Sequence, residues 1–172
     1  PLGIASDDRQ HLDAKIAAGL VCDILCLSGG VSAGQLDLVP AALQAAGVRE
    51  VFHKVDIKPG KPVWFGKLDA AHTADGRPRW IFGLPGNPVS SMVCCELFVR
   101  TAVRRLMGVT PVEPQAIDAR HEGEHAVKGD RPTYFPARLT WSADGPLVRP
   151  VDWGGSFDLR ATADGNAMIL FP

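Results

Sequence analysis

The residues able to do chemistry in this chain concentrate in three short stretches. In "SGGVSAGQLD", Ser28 to Asp37, the residues Gly29, Gly30 and Gly34 let backbone amides approach a ligand closely, and Ser28 and Ser32 add hydroxyl donors. A helix follows, and its N-terminus carries partial positive charge, so an anion such as phosphate is the natural guest. A plain flexible connector would account for the same composition. The spacing matches neither G-x-G-x-x-G nor a Walker loop, which argues against those nucleotide-binding folds.

The second stretch is "HKVDIKPGKP". Lys54, Asp56 and Lys58 alternate with Val55 and Ile57, so in a strand the three charged residues share one face. Lys61 follows a Pro-Gly turn. Three lysines this close offer a cationic wall for a phosphate or another oxyanion, or else a solvated sheet edge. The third stretch is "GLPGNP". Pro85 and Pro88 stiffen it while Gly86 and Asn87 permit unusual dihedrals, giving either a rigid ligand wall or a stiff turn. Two acids complete the set. Asp7 and Asp37 fall at helix starts, where the dipole favours a carboxylate. Beside a phosphate they would make a magnesium site; helix capping explains them equally well.

These stretches need elements to hold them. "SDDRQHLDAKIAAGL" reads as a helix capped by Ser6, with Leu12, Ile16 and Leu20 on one face. "DILCLS" reads as a strand buried on both faces. "DLVPAALQAAG" reads as a second helix closed by Gly47, with Pro40 tolerable in its first turn. "REVFHKVDI", "VWFGKL" and "RWIFGL" read as strands, the last two flanking a turn-rich excursion. The longest helix runs from Pro88 to a stop at Gly108, with Arg104 and Arg105 in its last turn. In an open α/β sheet, ligands bind beyond the carboxyl ends of the strands, where the first and third stretches stand.

Composition changes after Gly108. "VTPVEPQ" reads as a linker, and the remainder alternates short apolar runs with "SADG", "GGS" and "ADGN", a β pattern. The expected organisation is therefore an α/β domain over residues 1–108, a linker over 109–115 and a small all-β domain over 116–172. The first element is a helix leading into a strand, whereas a parallel sheet usually has a strand before that helix. The chain thus reads as starting in the middle of a domain.

With 172 residues, 46% hydrophobic and 22% charged, the chain can bury a globular core. A net charge of −1 supplies no basic field for nucleic acid. No apolar run approaches the ~20 residues of a membrane span. Cys22, Cys26, Cys94 and Cys95 lie in apolar segments and read as small buried hydrophobes of a reducing compartment, without the paired spacings of a zinc site. His121 and His125 are four apart, but "HEGEH" lacks a helical apolar face, so a metal role is disfavoured.

"DILCLSGGVSAGQLDLV", "FHKVDIKPGKPVWFGKL" and "FGLPGNPVSSMV", in this order and spacing, closely resemble the molybdopterin molybdotransferase family. The tail, from "GDRPTYFPARL" through "VRPVDWGGSFDLRATADGNAMILFP", resembles that family's last domain. The resemblance covers nearly the whole chain. It implies a three-layer, doubly wound, mostly parallel α/β domain lacking its first part, followed by a small β-barrel. It also implies insertion of molybdate into adenylylated molybdopterin with loss of AMP, forming molybdenum cofactor. Asp37 and Asp7 are implied as catalytic residues and as ligands of Mg2+, Lys54 and Lys58 as catalytic residues whose ammonium groups neutralise pyrophosphate or molybdate, and Ser156 as a contribution from the tail. The partners implied are adenylylated molybdopterin and molybdate, in a cytoplasmic homodimer whose other subunit lines the site.

The sequence departs from the family in places. Gln35 stands where an acid is frequent, Pro40 where lysine is frequent, and Asp56 where an uncharged residue is usual. Full members are roughly twice as long, so the chain reads as a C-terminal fragment with little turnover of its own. Two other readings stand beside this one: a molybdopterin adenylyltransferase, and a scaffold that kept the fold and lost catalysis.

Overall fold

A computed structural model describes residues 1–6, 8–31, 38–123 and 131–172. The chain divides into two compact units, Pro1–Val55 with Pro62–Gly86, and Asp56–Lys61 with Asn87–Pro172. This division differs from the compositional boundary near residue 110, because the long helical stretch makes its start on the loop that carries Ser156: the Val89 amide donates to the Ser156 carbonyl at 3.1 Å.

The first unit begins with α1 (Arg9–Gly19), β1 (Ile24–Ser28), α2 (Leu38–Ala45) and β2 (Arg49–His53), and continues with β3 (Trp64–Leu68) and β4 (Arg79–Leu84). The cap of α1 is Asp8 rather than Ser6; its carboxylate accepts the His11 amide at 2.8 Å. Leu12 and Ile16 then point into the core as their spacing requires. α2 closes as expected. Gly47 adopts φ +85°, its amide reaches the Gln44 carbonyl, and the Val48 amide reaches the Leu43 carbonyl, satisfying the last turn.

The strands form one sheet in the order β1-β4-β3-β2. β1 and β4 are parallel, while β4 with β3 and β3 with β2 are antiparallel. The described sheet is therefore mixed, where a mostly parallel one was expected. The cause lies in the connections: Lys54–Val63 and Asp69–Pro78 are shorter than the dozen or so residues a parallel crossover needs. Two antiparallel steps restore direction, so β2 runs parallel to β1 and β4, and all three end at the same edge of the sheet. That edge presents Ser28, His53 and Leu84.

α1 and α2 cover one face of the sheet, burying Leu12, Ile16, Val39 and Leu43 against Leu25, Trp64, Leu68 and Ile81. Trp64 is fully buried and keeps its indole N–H satisfied by Glu50 at 2.7 Å. Gly66 is obligatory beneath it, since a Cβ there would meet the Trp64 ring at 2.2 Å. The opposite face carries an aromatic row in which Phe65 stacks near Phe82 at 4.8 Å and Phe52 at 5.3 Å. The expectation that β1 is buried on both faces is not met: Leu25 is buried but Cys26 and Ser28 are exposed. β1 is an edge strand of the described sheet, and a short apolar run reads the same at an edge as at the centre.

The second unit starts its main path with α3 (Pro88–Cys94), a π-helical turn (Cys95–Val99) and α4 (Arg100–Leu106), one continuous helical stretch. Pro88 stands at its first position, and Gly108 at φ +72° closes it with the same two backbone bonds seen at Gly47. Then come β5 (Arg120–His121), β6 (Thr133–Ser142), β7 (Gly145–Pro150), α5 (Leu159–Ala163) and β8 (Ala167–Phe171). The sheet order is β5-β7-β6-β8, with β6 and β7 joined by the expected turn at "SADG". α5 is a helix in a tail that reads as all β; Asp158 caps it by accepting the Ala161 amide at 3.0 Å. Asn166 of "ADGN" acts as a surrogate strand residue. Its side chain accepts from the Leu139 amide at 2.7 Å and donates to the Leu139 carbonyl at 3.0 Å, sewing the entry to β8 onto β6.

No helix among the described residues is long and apolar enough to cross a membrane. The buried reading of the cysteines holds for Cys94 alone; Cys22, Cys26 and Cys95 are exposed.

Candidate functional site

Within the first unit, the ends of β1 and β4 bring two of the three chemically active stretches side by side. Ser28 pairs with Leu84 at the end of the parallel ladder. The Gly29 amide donates to the Leu84 carbonyl at 3.0 Å, and the Ser28 hydroxyl donates to the Pro85 carbonyl at 3.3 Å. Gly29 and Gly30 both adopt left-handed conformations, φ +87° and +67°, which only glycine takes without strain. A Cβ on Gly86 would lie 3.7 Å from the Gly29 Cα, so the two loops touch through bare backbone. This is the carboxyl edge of the parallel strands, where α/β sheets bind ligands.

One expectation changes here. The Gly29 amide is taken by β4, so it cannot serve a ligand as the sequence reading had it. The loop must be anchored to the neighbouring strand before it can present anything, and Gly30 is the first residue beyond that anchor. Gly30 also packs tightly, since a Cβ there would meet Val39 Cγ2 at 2.8 Å. Ser32, Gly34 and Asp37 lie outside the described residues, as do Asp7, Gln35 and His125.

Lys54 follows β2 at the same edge. It is the one non-glycine residue with positive φ, +69°, among the described residues, and its amide donates to the Val63 carbonyl at 2.9 Å. A left-handed lysine costs about 1–2 kcal/mol and ends the strand abruptly. The predicted single face of Lys54, Asp56 and Lys58 therefore does not form. Lys54 stands in the first unit, and Asp56 and Lys58 in the second, where Asp56 lies 3.8 Å from Arg131.

In the second unit Lys58 is fixed by its backbone. Its amide donates to the Pro132 carbonyl at 2.9 Å, and its carbonyl accepts from Tyr134 at 2.7 Å, leaving the side chain exposed. The turn Pro59–Gly60 leads to exposed Lys61. Gly60, at φ +118°, rests on the buried thiol of Cys94; a Cβ there would meet Sγ at 2.6 Å. Burial, and then the neighbouring Cys95, push the Cys94 thiol up to about 12, so it remains a neutral packing group.

The same unit brings together Asn87, Pro88 and Ser156. The Asn87 side chain donates to the Ser156 hydroxyl at 2.9 Å instead of capping α3. Asp158 shapes this loop, accepting from Gly154 at 3.1 Å and from Ala161 at 3.0 Å. Those backbone donors, Ala161 first, hold its carboxyl below the usual aspartate range. Sequence reasoning missed Asp158 and His53. His53 gave one signal only, its place directly before Lys54; in the structure its Nε2 lies 2.9 Å from the Val31 carbonyl.

Chemically, the described residues offer anion-binding groups: glycine backbone, hydroxyls and exposed ammonium groups. No group of three or more histidine, cysteine, aspartate or glutamate side chains that could hold a metal ion gathers among them.

Three comparisons bear on this arrangement. The family described as "Probable molybdopterin binding domain" matches residues 1–105. A molybdopterin molybdenumtransferase of Staphylococcus aureus (strain Mu50) is 31% identical over 175 residues, covering 99% of this chain and 40% of that relative. One from Haemophilus influenzae is 41% identical over 108 residues, 62% of this chain and 24% of the relative. The crystal structure of a molybdopterin biosynthesis MoeA protein from Pyrococcus horikosii superposes with a TM-score of 0.74 at 28% identity, over 99% of this chain and 38% of that one. The chain spans about 40% of the length of the first of these relatives.

Proposed function

This chain belongs to the family of the probable molybdopterin binding domain, and from that membership we propose that it forms the pterin-gripping part of a molybdopterin molybdotransferase. The reaction is insertion of molybdate into the dithiolene of adenylylated molybdopterin, with release of AMP. One observation carries the reading most directly: two glycine-bearing loops leave the ends of adjacent parallel strands and meet through bare backbone at Gly29 and Gly86. Such a surface admits a phosphate close to main-chain dipoles.

In this reading Gly30 and the residues after it hold the phosphate side of the pterin. Lys54, Lys58 and Lys61 offset the charge of the pyrophosphate or molybdate, and Ser156, whose hydroxyl accepts from Asn87, is the contribution of the tail. Asp7 and Asp37 would hold Mg2+, which prefers oxygen ligands shared with phosphate and would screen the charge that develops as AMP leaves. In this reading the described residues offer groups that bind the anion, and the cation falls to these two acids. The finer architecture belongs to the same proposal: a three-layer doubly wound domain over residues 1–108, a linker, a closing β-barrel over 116–172, and a cytoplasmic homodimer. The similarity to molybdenumtransferases over 99% of the chain, tail included, favours this activity over adenylyl transfer.

The test uses the longer parent protein. Molybdate- and magnesium-dependent turnover of adenylylated molybdopterin is measured in the wild type and in Asp37→Ala. The variant should lose most of its rate; equal rates would remove Asp37 from the mechanism. A wild type without turnover would defeat the functional reading.

A further inference from the structure

We propose that His53 is a positioning residue that clamps the glycine loop from the side opposite its attachment to β4. The inference rests on the reading that this loop grips the phosphorylated pterin.

The loop leaves β1 after Ser28 and is held at two points. At its start, the Gly29 amide donates to the Leu84 carbonyl at 3.0 Å. Just after Gly30, the Val31 carbonyl meets His53 Nε2 at 2.9 Å. A carbonyl only accepts, so Nε2 carries the proton in this contact. Val31 is fully buried and lies over Gly83, where a Cβ would meet its Cγ1 at 2.6 Å, so the side chain cannot drift. Gly29 and Gly30, which lack the steric restraint of a side chain, are thereby suspended between two fixed points.

The two anchors come from different strands. Leu84 ends β4 and His53 ends β2, the strand at the far side of the sheet from β1. Because β1, β4 and β2 run in one direction, all three ends lie along one edge, and the imidazole joins the loop to β2 across it. The next residue is Lys54, whose left-handed backbone fixes where its ammonium group starts. One side chain therefore sets the glycine amides and Lys54 relative to each other. Histidine suits the task because a rigid ring with two torsions carries its donor far from the backbone at little entropic cost. Phenylalanine fills the same space without a donor, whereas glutamine restores a donor on a more flexible stem.

The experiment compares wild type, His53→Phe and His53→Gln in the full-length parent protein. The first readout needs no substrate: hydrogen exchange of the backbone amides in the segment containing Gly29 and Gly30, followed by mass spectrometry. Loss of one hydrogen bond should speed exchange there by about three- to tenfold in His53→Phe, with His53→Gln returning toward wild type. The second readout is steady-state turnover of adenylylated molybdopterin. A loosened grip on ground and transition states alike raises KM by a similar factor and leaves kcat within about twofold. Unchanged exchange in His53→Phe, or exchange in His53→Gln as fast as in His53→Phe, would overturn the proposal. An intact KM in His53→Phe would overturn it as well. If exchange responds as expected but the wild type does not turn over this substrate, the positioning role stands and the functional reading fails.

Discussion

Replacing Gly60 by alanine probes the packing that holds the lysine-bearing turn. Gly60 sits at φ +118°, and an added Cβ would approach Cys94 Sγ to 2.6 Å and Ile57 Cδ1 to 3.2 Å. Two costs follow. A side chain in that backbone region costs about 1–3 kcal/mol, and forcing a methyl group into a filled interior costs about 1–3 kcal/mol more. Gly60→Ala should therefore lose about 2–6 kcal/mol. Cys94→Ala removes a buried atom the size of a methylene and should lose about 1 kcal/mol. In the double variant the sulfur that the methyl would strike is gone. The packing cost falls while the backbone cost remains, so the double variant should be about 1–3 kcal/mol more stable than the sum of the single losses. Urea unfolding followed by circular dichroism on the four proteins gives this coupling. Additivity within about 0.5 kcal/mol would refute the contact as the source of the turn's placement.

Other outcomes follow from charge and burial. The hydrogen bond from Arg79, 2.8 Å long, and then the Arg77 amide hold the Asp75 carboxyl below its ordinary range. A depressed carboxyl stabilises the fold above its unfolded pKa and loses that contribution as the solution falls through the folded value, below about pH 4. Urea midpoints between pH 6 and pH 3 should thus fall less steeply for Asp75→Asn than for wild type; parallel curves would contradict the assignment. A thiol-specific chromogenic reagent at pH 8 should label the exposed Cys22 and Cys26 quickly. Cys95, whose thiol burial also pushes up, should follow more slowly, and Cys94 should react only on unfolding. Fast labelling of all four cysteines in the native protein would show that Cys94 is not the packing group described here.

Local chemistry made much of the framework legible. Gly47 and Gly108 mark helix ends because a left-handed residue is what lets the last carbonyls find partners, and Pro88 marks a start because its missing donor costs nothing there. The pairing of "VWFGKL" with "RWIFGL" follows from the turn residues between them. What the sequence concealed has physical reasons too. Alternation at Lys54, Asp56 and Lys58 implies a strand face, but the left-handed backbone at Lys54 is a decision of tertiary structure that a lysine does not advertise. Edge and central strands share one apolar vocabulary, so the exposure of Cys26 was hidden in "DILCLS". Asp8 took the cap from Ser6, although both are good caps, and the Ser6 amide and hydroxyl meet His11 Nδ1 instead. Contacts such as His53 with Val31, Asn87 with Ser156 and Asn166 with Leu139 join residues far apart in the chain, and no local pattern predicts them.

The edge where β1 and β4 end is the proposed place where a phosphorylated pterin is held. A crystal structure of the full-length parent with adenylylated molybdopterin bound tests this directly. The expected result is a phosphate oxygen within about 2.7–3.2 Å of the Gly30 amide, with the Lys54 ammonium on the same group. A ligand whose phosphates lie against another surface, with the Gly29–Gly30 backbone facing solvent, would contradict it.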